Sequence, residues 1–179
     1  MNRGRKILII SHCILNQNSV VLPYGREMKD FQEMVKYCME NNIGLVQLPC
    51  PELRQLGLKR WGHLKTQLDY SGYRNQCKNI LYPIIEELED YRANSYEVLG
   101  VCGIKGSPTC GVSLTCVGDW QGEVNTYKSI EDAQSKVKMV EEKGILMEIF
   151  QELLEEKRVK INFFDFDNWR ENLDRDEKY

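Results

Sequence analysis

The chain has 179 residues and a formal net charge of -3 at pH 7. A chain of this length can bury enough apolar surface to fold as one domain without disulfides. The small net charge gives no electrostatic reason to expect nucleic acid or a membrane as a partner, so we expect a small-molecule ligand. No apolar stretch approaches the ~20 residues of a membrane span, and the apolar run behind the basic N-terminus is too short for a secretory signal. The sequence therefore predicts a soluble, cytoplasmic protein.

Apolar patterning predicts an α/β fold. A continuous apolar run predicts a central strand at 7–10, and further strands are predicted at 43–48, 97–102 and 159–164. Apolar residues at three- and four-residue steps predict helices over 26–41, 73–88 and 146–154. The alternation is typical of a single-domain, Rossmann-like or flavodoxin-like sheet of about four parallel strands flanked by helices.

Three segments stand outside this alternation. Residues 53–71 carry several basic side chains and are predicted to form a long loop or lid. Residues 112–142 are interpreted as an irregular insertion, in which 112–120 and 123–127 are possible short strands and Ser129 is a possible helix start. Residues 167–179 are interpreted as a charged tail. The whole chain, 1–179, is predicted to be a single domain.

The sequence contains seven cysteines, an odd number without the close spacing of a disulfide scaffold, which indicates a reducing compartment. Three of them, Cys13, Cys50 and Cys110, lie at or just past the carboxyl ends of predicted strands. In parallel sheets, ligands bind beyond those ends, so we expect these thiols to share one site. The remaining cysteines are predicted to be structural: Cys38 and Cys77 on helix faces, Cys102 within a strand, and Cys116 after the Cys110 loop.

Three thiolates from separate loops would form a soft site suited to zinc, copper or an iron–sulfur cluster. A closed zinc site usually takes close C-x-x-C pairs, which this chain lacks. Three cysteines can instead hold three irons of a 4Fe-4S cluster and leave the fourth iron open. Spacing alone does not choose among these metals, and it favours ordinary reduced cysteines with no metal.

Three motifs, in order, carry a resemblance: Cys13-Ile14-Leu15, Cys50-Pro51-Glu52 and Ser107-Pro108-Thr109-Cys110-Gly111. Together they resemble the thiouracil desulfurase family, whose pattern is Cys-Leu-x-Gly, Cys-Pro-Glu and Ser-Pro-Ser-Cys-Gly. The gaps of roughly 40 and 60 residues between the cysteines are also similar to that family. The first motif departs from the pattern, and Thr109 replaces the second serine, so the chain looks like a divergent branch.

The resemblance implies a 4Fe-4S cluster held by Cys13, Cys50 and Cys110. It also implies non-redox desulfuration of a thiolated nucleobase such as 2-thiouracil, in which a thiocarbonyl becomes a carbonyl and sulfide is released. Glu52 matches the glutamate of the second motif, and we expect it to move protons.

The polar residues near the first and third motifs complete the expected site. Ser107 and Thr109 are expected to support catalysis, since they match the two serines of the third motif. Asn16 and Asn18 are candidates for hydrogen bonds to the substrate.

Two other functions remain open. The same three cysteines would serve a non-catalytic metal- or sulfur-binding or sensing module. A domain without any metal would instead act through a reactive thiol of Cys50 or Cys110. The sequence does not predict the physiological substrate or the oligomeric state.

Overall fold

A computed structural model describes residues 3–173, which form six strands and eight α-helices. The strands are β1 (Lys6–Ile10), β2 (Ile43–Gln47), β3 (Glu97–Gly103), β4 (Thr115–Gly118), β5 (Val137–Val140) and β6 (Phe163–Asp165). The helices are α1 (His12–Leu15), α2 (Lys29–Glu40), α3 (Pro51–Leu56), α4 (Lys65–Leu68), α5 (Ser71–Ala93), α6 (Ile130–Ser135), α7 (Ile145–Glu156) and α8 (Trp169–Leu173).

The central sheet contains four parallel strands in the order β2-β1-β3-β6. The predicted Rossmann-like sheet of about four parallel strands is therefore confirmed. Strand β1 lies between β2 and β3, and the chain changes direction across the sheet at that point. Such a switch point is where open parallel sheets bind ligands.

The apolar run of β1 is buried on both faces of the sheet. Leu8 and Ile10 pack in one apolar cluster with residues of α2 and α8. Ile9 points to the other side, into a cluster formed with α5 and α7. Successive strand residues face opposite sides of the sheet. Because helices pack on both sides, the strand needs a continuous apolar run.

The three predicted helices correspond to α2, α5 and α7, with Pro83 inside α5. Cys38, Cys77 and Cys102 are fully buried, as expected of core residues.

Several predicted segments differ from the structure at their ends. The fourth strand is shorter than predicted and begins at Phe163, although the Asn162 carbonyl accepts a hydrogen bond from the Val101 N–H at 2.8 Å. Residues 112–142, interpreted as an irregular insertion, contain the antiparallel pair β4-β5 and helix α6. The possible strand at 112–120 contains β4, and the possible helix start at Ser129 is the N-cap of α6, whereas 123–127 contains a short 3-10 helix instead of a strand. Strand β5 was not predicted, because a half-exposed segment of four residues carries little periodicity.

The segments 53–71 and 167–179 contain more structure than predicted. The first includes most of α3, all of α4 and the start of α5, because buried leucines anchor it, among them Leu64 and Leu68. The second contains α8, whose Trp169 and Leu173 are buried at four-residue spacing among charged neighbours. Residues 174–179 of the predicted tail lie outside the described residues.

Across residues 3–173, the helices are either too short or too polar to cross a membrane.

Candidate cysteine site

Three adjacent strands bring Cys13, Cys50 and Cys110 to one edge of the sheet. Cys13 lies in α1, directly after β1, and Cys50 immediately precedes α3, after β2. Cys110 lies in the loop after β3, and the Ile104 N–H donates to the Cys110 carbonyl at 2.9 Å, which folds this loop back toward the strand end. Since β2, β1 and β3 are neighbouring parallel strands, their carboxyl ends and these loops lie side by side.

Local hydrogen bonds fix the loops that carry Cys50 and Cys110. The Leu53 N–H donates to the Cys50 Sγ at 3.4 Å, so this thiol caps α3. The Ser107 Oγ accepts from the N–H groups of Thr109 and Cys110, at 3.3 and 3.0 Å. A Cβ at Gly111 would lie 2.1 Å from the Leu114 carbonyl oxygen, so this tight loop requires glycine there.

The three thiols influence one another electrostatically. Burial raises the pKa of Cys13 to about 12, and the nearby Cys50 contributes next. Burial also raises the pKa of Cys110 well above its usual range, followed by the effects of Cys13 and Cys50. Burial is likewise the largest cause of the raised pKa of Cys50. The metal-free site therefore holds neutral thiols at pH 7, and metal binding must release their protons.

The donor set fits a cluster of several irons. Thiolates are the ligands of iron–sulfur clusters, and each thiolate binds a different iron, so the three sulfurs need not meet at one point. Within residues 3–173, no three His, Cys, Asp or Glu side chains are grouped closely enough to hold a single metal ion. The chain thus offers converging thiols without a preassembled site for one ion.

Glu52 lies in a buried hydrogen-bond network beside Cys110. The Thr109 hydroxyl donates to Glu52 Oε1 at 2.7 Å, and its oxygen lies 3.6 Å from the Cys110 Sγ. The Ser107 and Thr109 hydroxyl oxygens are 3.3 Å apart. Glu52 is only 8% exposed, so its carboxylate depends on these partners in place of water. Glu52, Ser107 and Thr109, the three residues expected to act in catalysis, are therefore in one network.

Arg60 completes this network and was not predicted as a site residue. Its guanidinium donates to Glu52 Oε2 at 3.3 Å and to the carbonyls of Ser19 and Gly57 at 2.6 and 3.0 Å. Its side chain is only 3% exposed. In the sequence, Arg60 is one of several cations in segment 53–71, and no pattern distinguishes it from the others.

Asp165 is a second polar residue that the sequence did not single out. It is buried at the end of β6, and its two carboxylate oxygens accept hydrogen bonds from the Val112 and Ser113 N–H groups at 3.0 and 2.9 Å. These bonds fasten the chain just after Cys110 to the edge strand. The sequence signal was hidden because Asp165 opens a charged C-terminal stretch.

Asn16 and Asn18 lie in the turn that follows α1. The Asn16 carbonyl accepts from the N–H and hydroxyl of Ser19 at 3.2 and 2.7 Å, and its side-chain Nδ2 lies 3.2 Å from the His12 Nε2. Asn18 is exposed. The Asn16 backbone carbonyl therefore supports the turn, and its side chain lies beside His12. A role for either residue in substrate binding stays a prediction.

The likeness to known proteins covers nearly the whole chain. A family model matches residues 5–179. A relative from Methanocaldococcus jannaschii, described as "Uncharacterized protein MJ0003", is 44% identical over 110 residues, which is 62% of this chain and 70% of that protein. No solved structure matches the chain. The matching family model is described as "Putative 2-thiouracil desulfurase", and the chain belongs to that family.

Proposed function

We propose that this protein is an iron–sulfur-dependent desulfurase that converts the thiocarbonyl of a thiolated nucleobase, such as 2-thiouracil, into a carbonyl. The observation that carries the proposal is the buried Glu52–Thr109 hydrogen bond directly beside Cys110, one of three converging thiols. A buried carboxylate beside a cluster ligand is suited to proton transfer, which a site that only bound metal would not carry out. Membership of the family supports the same substrate class.

The three cysteines would serve as ligands. When bound, a 4Fe-4S cluster on Cys13, Cys50 and Cys110 would supply an open, Lewis-acidic iron suited to the soft sulfur of a thiocarbonyl. The neutral thiols must first lose their protons. Because the pKa values of Cys13 and Cys110 are raised, this deprotonation makes cluster binding less favourable.

Glu52 would move the proton that the reaction requires. Thr109 donates to Oε1 and Arg60 donates to Oε2, so the carboxylate is held in one orientation with lone pairs remaining on both oxygens. Glu52 would accept a proton from the attacking water and return it to the departing sulfur. The new C–O bond replaces the C–S bond, both protons of water leave with sulfur as hydrogen sulfide, and no electron is transferred overall.

The test begins with anaerobic preparation and the measurement of iron, sulfide and turnover of 2-thiouracil to uracil. We expect wild type to take up about four irons per chain and to release one sulfide for each uracil. Cys110→Ala should lose the cluster and the activity. Cys116→Ala is the matched control, since Cys116 is half-buried and its thiol contacts the His63 carbonyl at 3.8 Å. It should retain both.

Glu52→Gln separates the chemistry from cluster binding. This variant should keep its cluster but lose turnover by about 10²- to 10⁴-fold, the usual contribution of a positioned proton-transfer group. An active Cys110→Ala protein, or a wild type that binds no iron, would refute the proposal. A wild type that binds the cluster but turns over no thiolated base would support a binding or sensing module instead.

A further inference from the structure

One buried hydroxyl near the cysteine site has no hydrogen-bond partner. Tyr73, in the first turn of α5, is 0% exposed. Among residues 3–173, no group donates a hydrogen bond to its hydroxyl or accepts one from it. An unmade hydrogen bond on a buried polar group is costly, so native proteins leave few of them, and each one calls for an explanation.

Tyr73 packs on the face of the sheet that also buries Cys110. Tyr73 packs in the same apolar cluster as Cys110 and Leu48, the residue that follows β2. Burial is the main cause of its raised pKa, and the acidic groups that act on it are Glu52, Cys77, Cys110 and Cys50, in that order. The phenol therefore stays protonated and remains a hydrogen-bond donor. Tyr73 belongs to the helical layer, whereas the three cysteines follow the strands of the sheet.

We propose that the Tyr73 O–H donates a hydrogen bond to a sulfur atom of the group held at the cysteine site. This inference rests on the proposed function, because it takes an iron–sulfur cluster as that group. Sulfur in such a cluster carries negative charge and accepts hydrogen bonds, which stabilise the cluster and raise its reduction potential. Tyr73 is thus a positioning residue, and its proton stays on the phenol oxygen.

Tyrosine differs from phenylalanine at this position only by the hydroxyl. A phenylalanine ring would fill the same space between α5 and the sheet without leaving a buried donor unpaired. The hydroxyl is therefore unfavourable in the metal-free protein and becomes favourable when an acceptor is bound beside it. The contribution of the hydroxyl to stability should therefore change sign when the ligand binds. A residue that only packs would show no such change.

Tyr73→Phe tests this reversal, with Tyr70→Phe as the matched control. The Tyr70 ring lies 6.1 Å from the Tyr73 ring, but Tyr70 is half exposed and its hydroxyl accepts from the Gln55 side chain at 3.3 Å. In the metal-free proteins, Tyr73→Phe should unfold at the same or a higher urea concentration than wild type. In the loaded proteins, it should release iron to a chelator about fivefold faster and show a lower reduction potential. Tyr70→Phe should match wild type in all three measurements.

The outcomes separate this inference from the proposed function. Unchanged iron release and potential in Tyr73→Phe, or a metal-free variant that is less stable than wild type, would overturn the role of Tyr73 alone. The expected shifts in a protein that turns over no thiolated base would support the hydrogen bond and refute the desulfurase activity. A wild type that takes up no iron would overturn both.

Discussion

We expect the loss of one partner from the buried ion pair between Arg60 and Glu52 to cause a large decrease in the free energy of unfolding. Their side chains are only 3% and 10% exposed, so neither charge can turn to water when its partner is removed. Arg60→Met leaves the Glu52 carboxylate with Thr109 and also leaves the carbonyls of Ser19 and Gly57 without the guanidinium. Breaking a buried ion pair from one side typically costs about 3–5 kcal/mol. That loss is a large share of the ~5–15 kcal/mol that stabilises a typical domain.

Urea denaturation of the metal-free protein measures this loss as a change in the free energy of unfolding. The control is Lys36→Met, which removes an exposed pair with Glu40 whose side chains are 67% and 64% exposed. It should cost only about 0.3–0.5 kcal/mol. The double variant Glu52→Gln/Arg60→Met should cost less than the sum of the single changes, because it leaves no unpaired charge. An Arg60→Met protein within about 1 kcal/mol of wild type would refute the reasoning from burial.

Two further predictions concern the hydroxyl of Thr109 and the thiol of Cys13. Thr109→Val removes the hydrogen bond to Glu52 and should lower turnover of 2-thiouracil about 10- to 100-fold. Thr109→Ser keeps a hydroxyl and should turn over 2-thiouracil nearly as fast as wild type. Equal activity in the two variants would contradict a role for this hydrogen bond. Because the folded metal-free protein binds the Cys13 proton more tightly than the unfolded chain, its stability should fall as pH rises from 9.0 toward about 12. Cys13→Ser should show a shallower fall in urea denaturation over that range, and an identical slope would rule out this contribution.

The sheet could be predicted from the sequence because β1, β2 and β3 each lie in a short segment rich in apolar residues. A strand covered on both faces needs a continuous apolar run, and 7–10 is such a run. Once the strands were placed, parallel topology alone put Cys13, Cys50 and Cys110 at the same edge. It also left Cys38, Cys77 and Cys102 to the core, where they are found.

The missing parts depend on contacts between residues that are distant in sequence. Arg60 matters because its guanidinium meets Ser19, which lies 41 positions away. Asp165 matters because its carboxylate meets the chain after Cys110, 53 positions earlier. Neither residue belongs to a periodic pattern or a short motif, so local reasoning had no means of selecting them. Tyr73 was predicted only as part of an apolar helical stripe, since its spacing says nothing about where its hydroxyl lies.

These distant contacts link the three cysteine loops through side chains. Arg60 joins the Ser19 carbonyl, in the turn after Cys13, to Glu52 in helix α3, which follows Cys50. Glu52 in turn accepts from Thr109, the neighbour of Cys110. One chain of hydrogen bonds therefore runs from the first loop to the third through the proposed proton-transfer group. Arg60→Met removes the link between the first and second loops and should disturb the relative positions of the thiols, whereas the amide of Glu52→Gln can still accept a hydrogen bond there. For this reason, we expect Arg60→Met to lose iron faster than wild type even in the fraction of protein that remains folded.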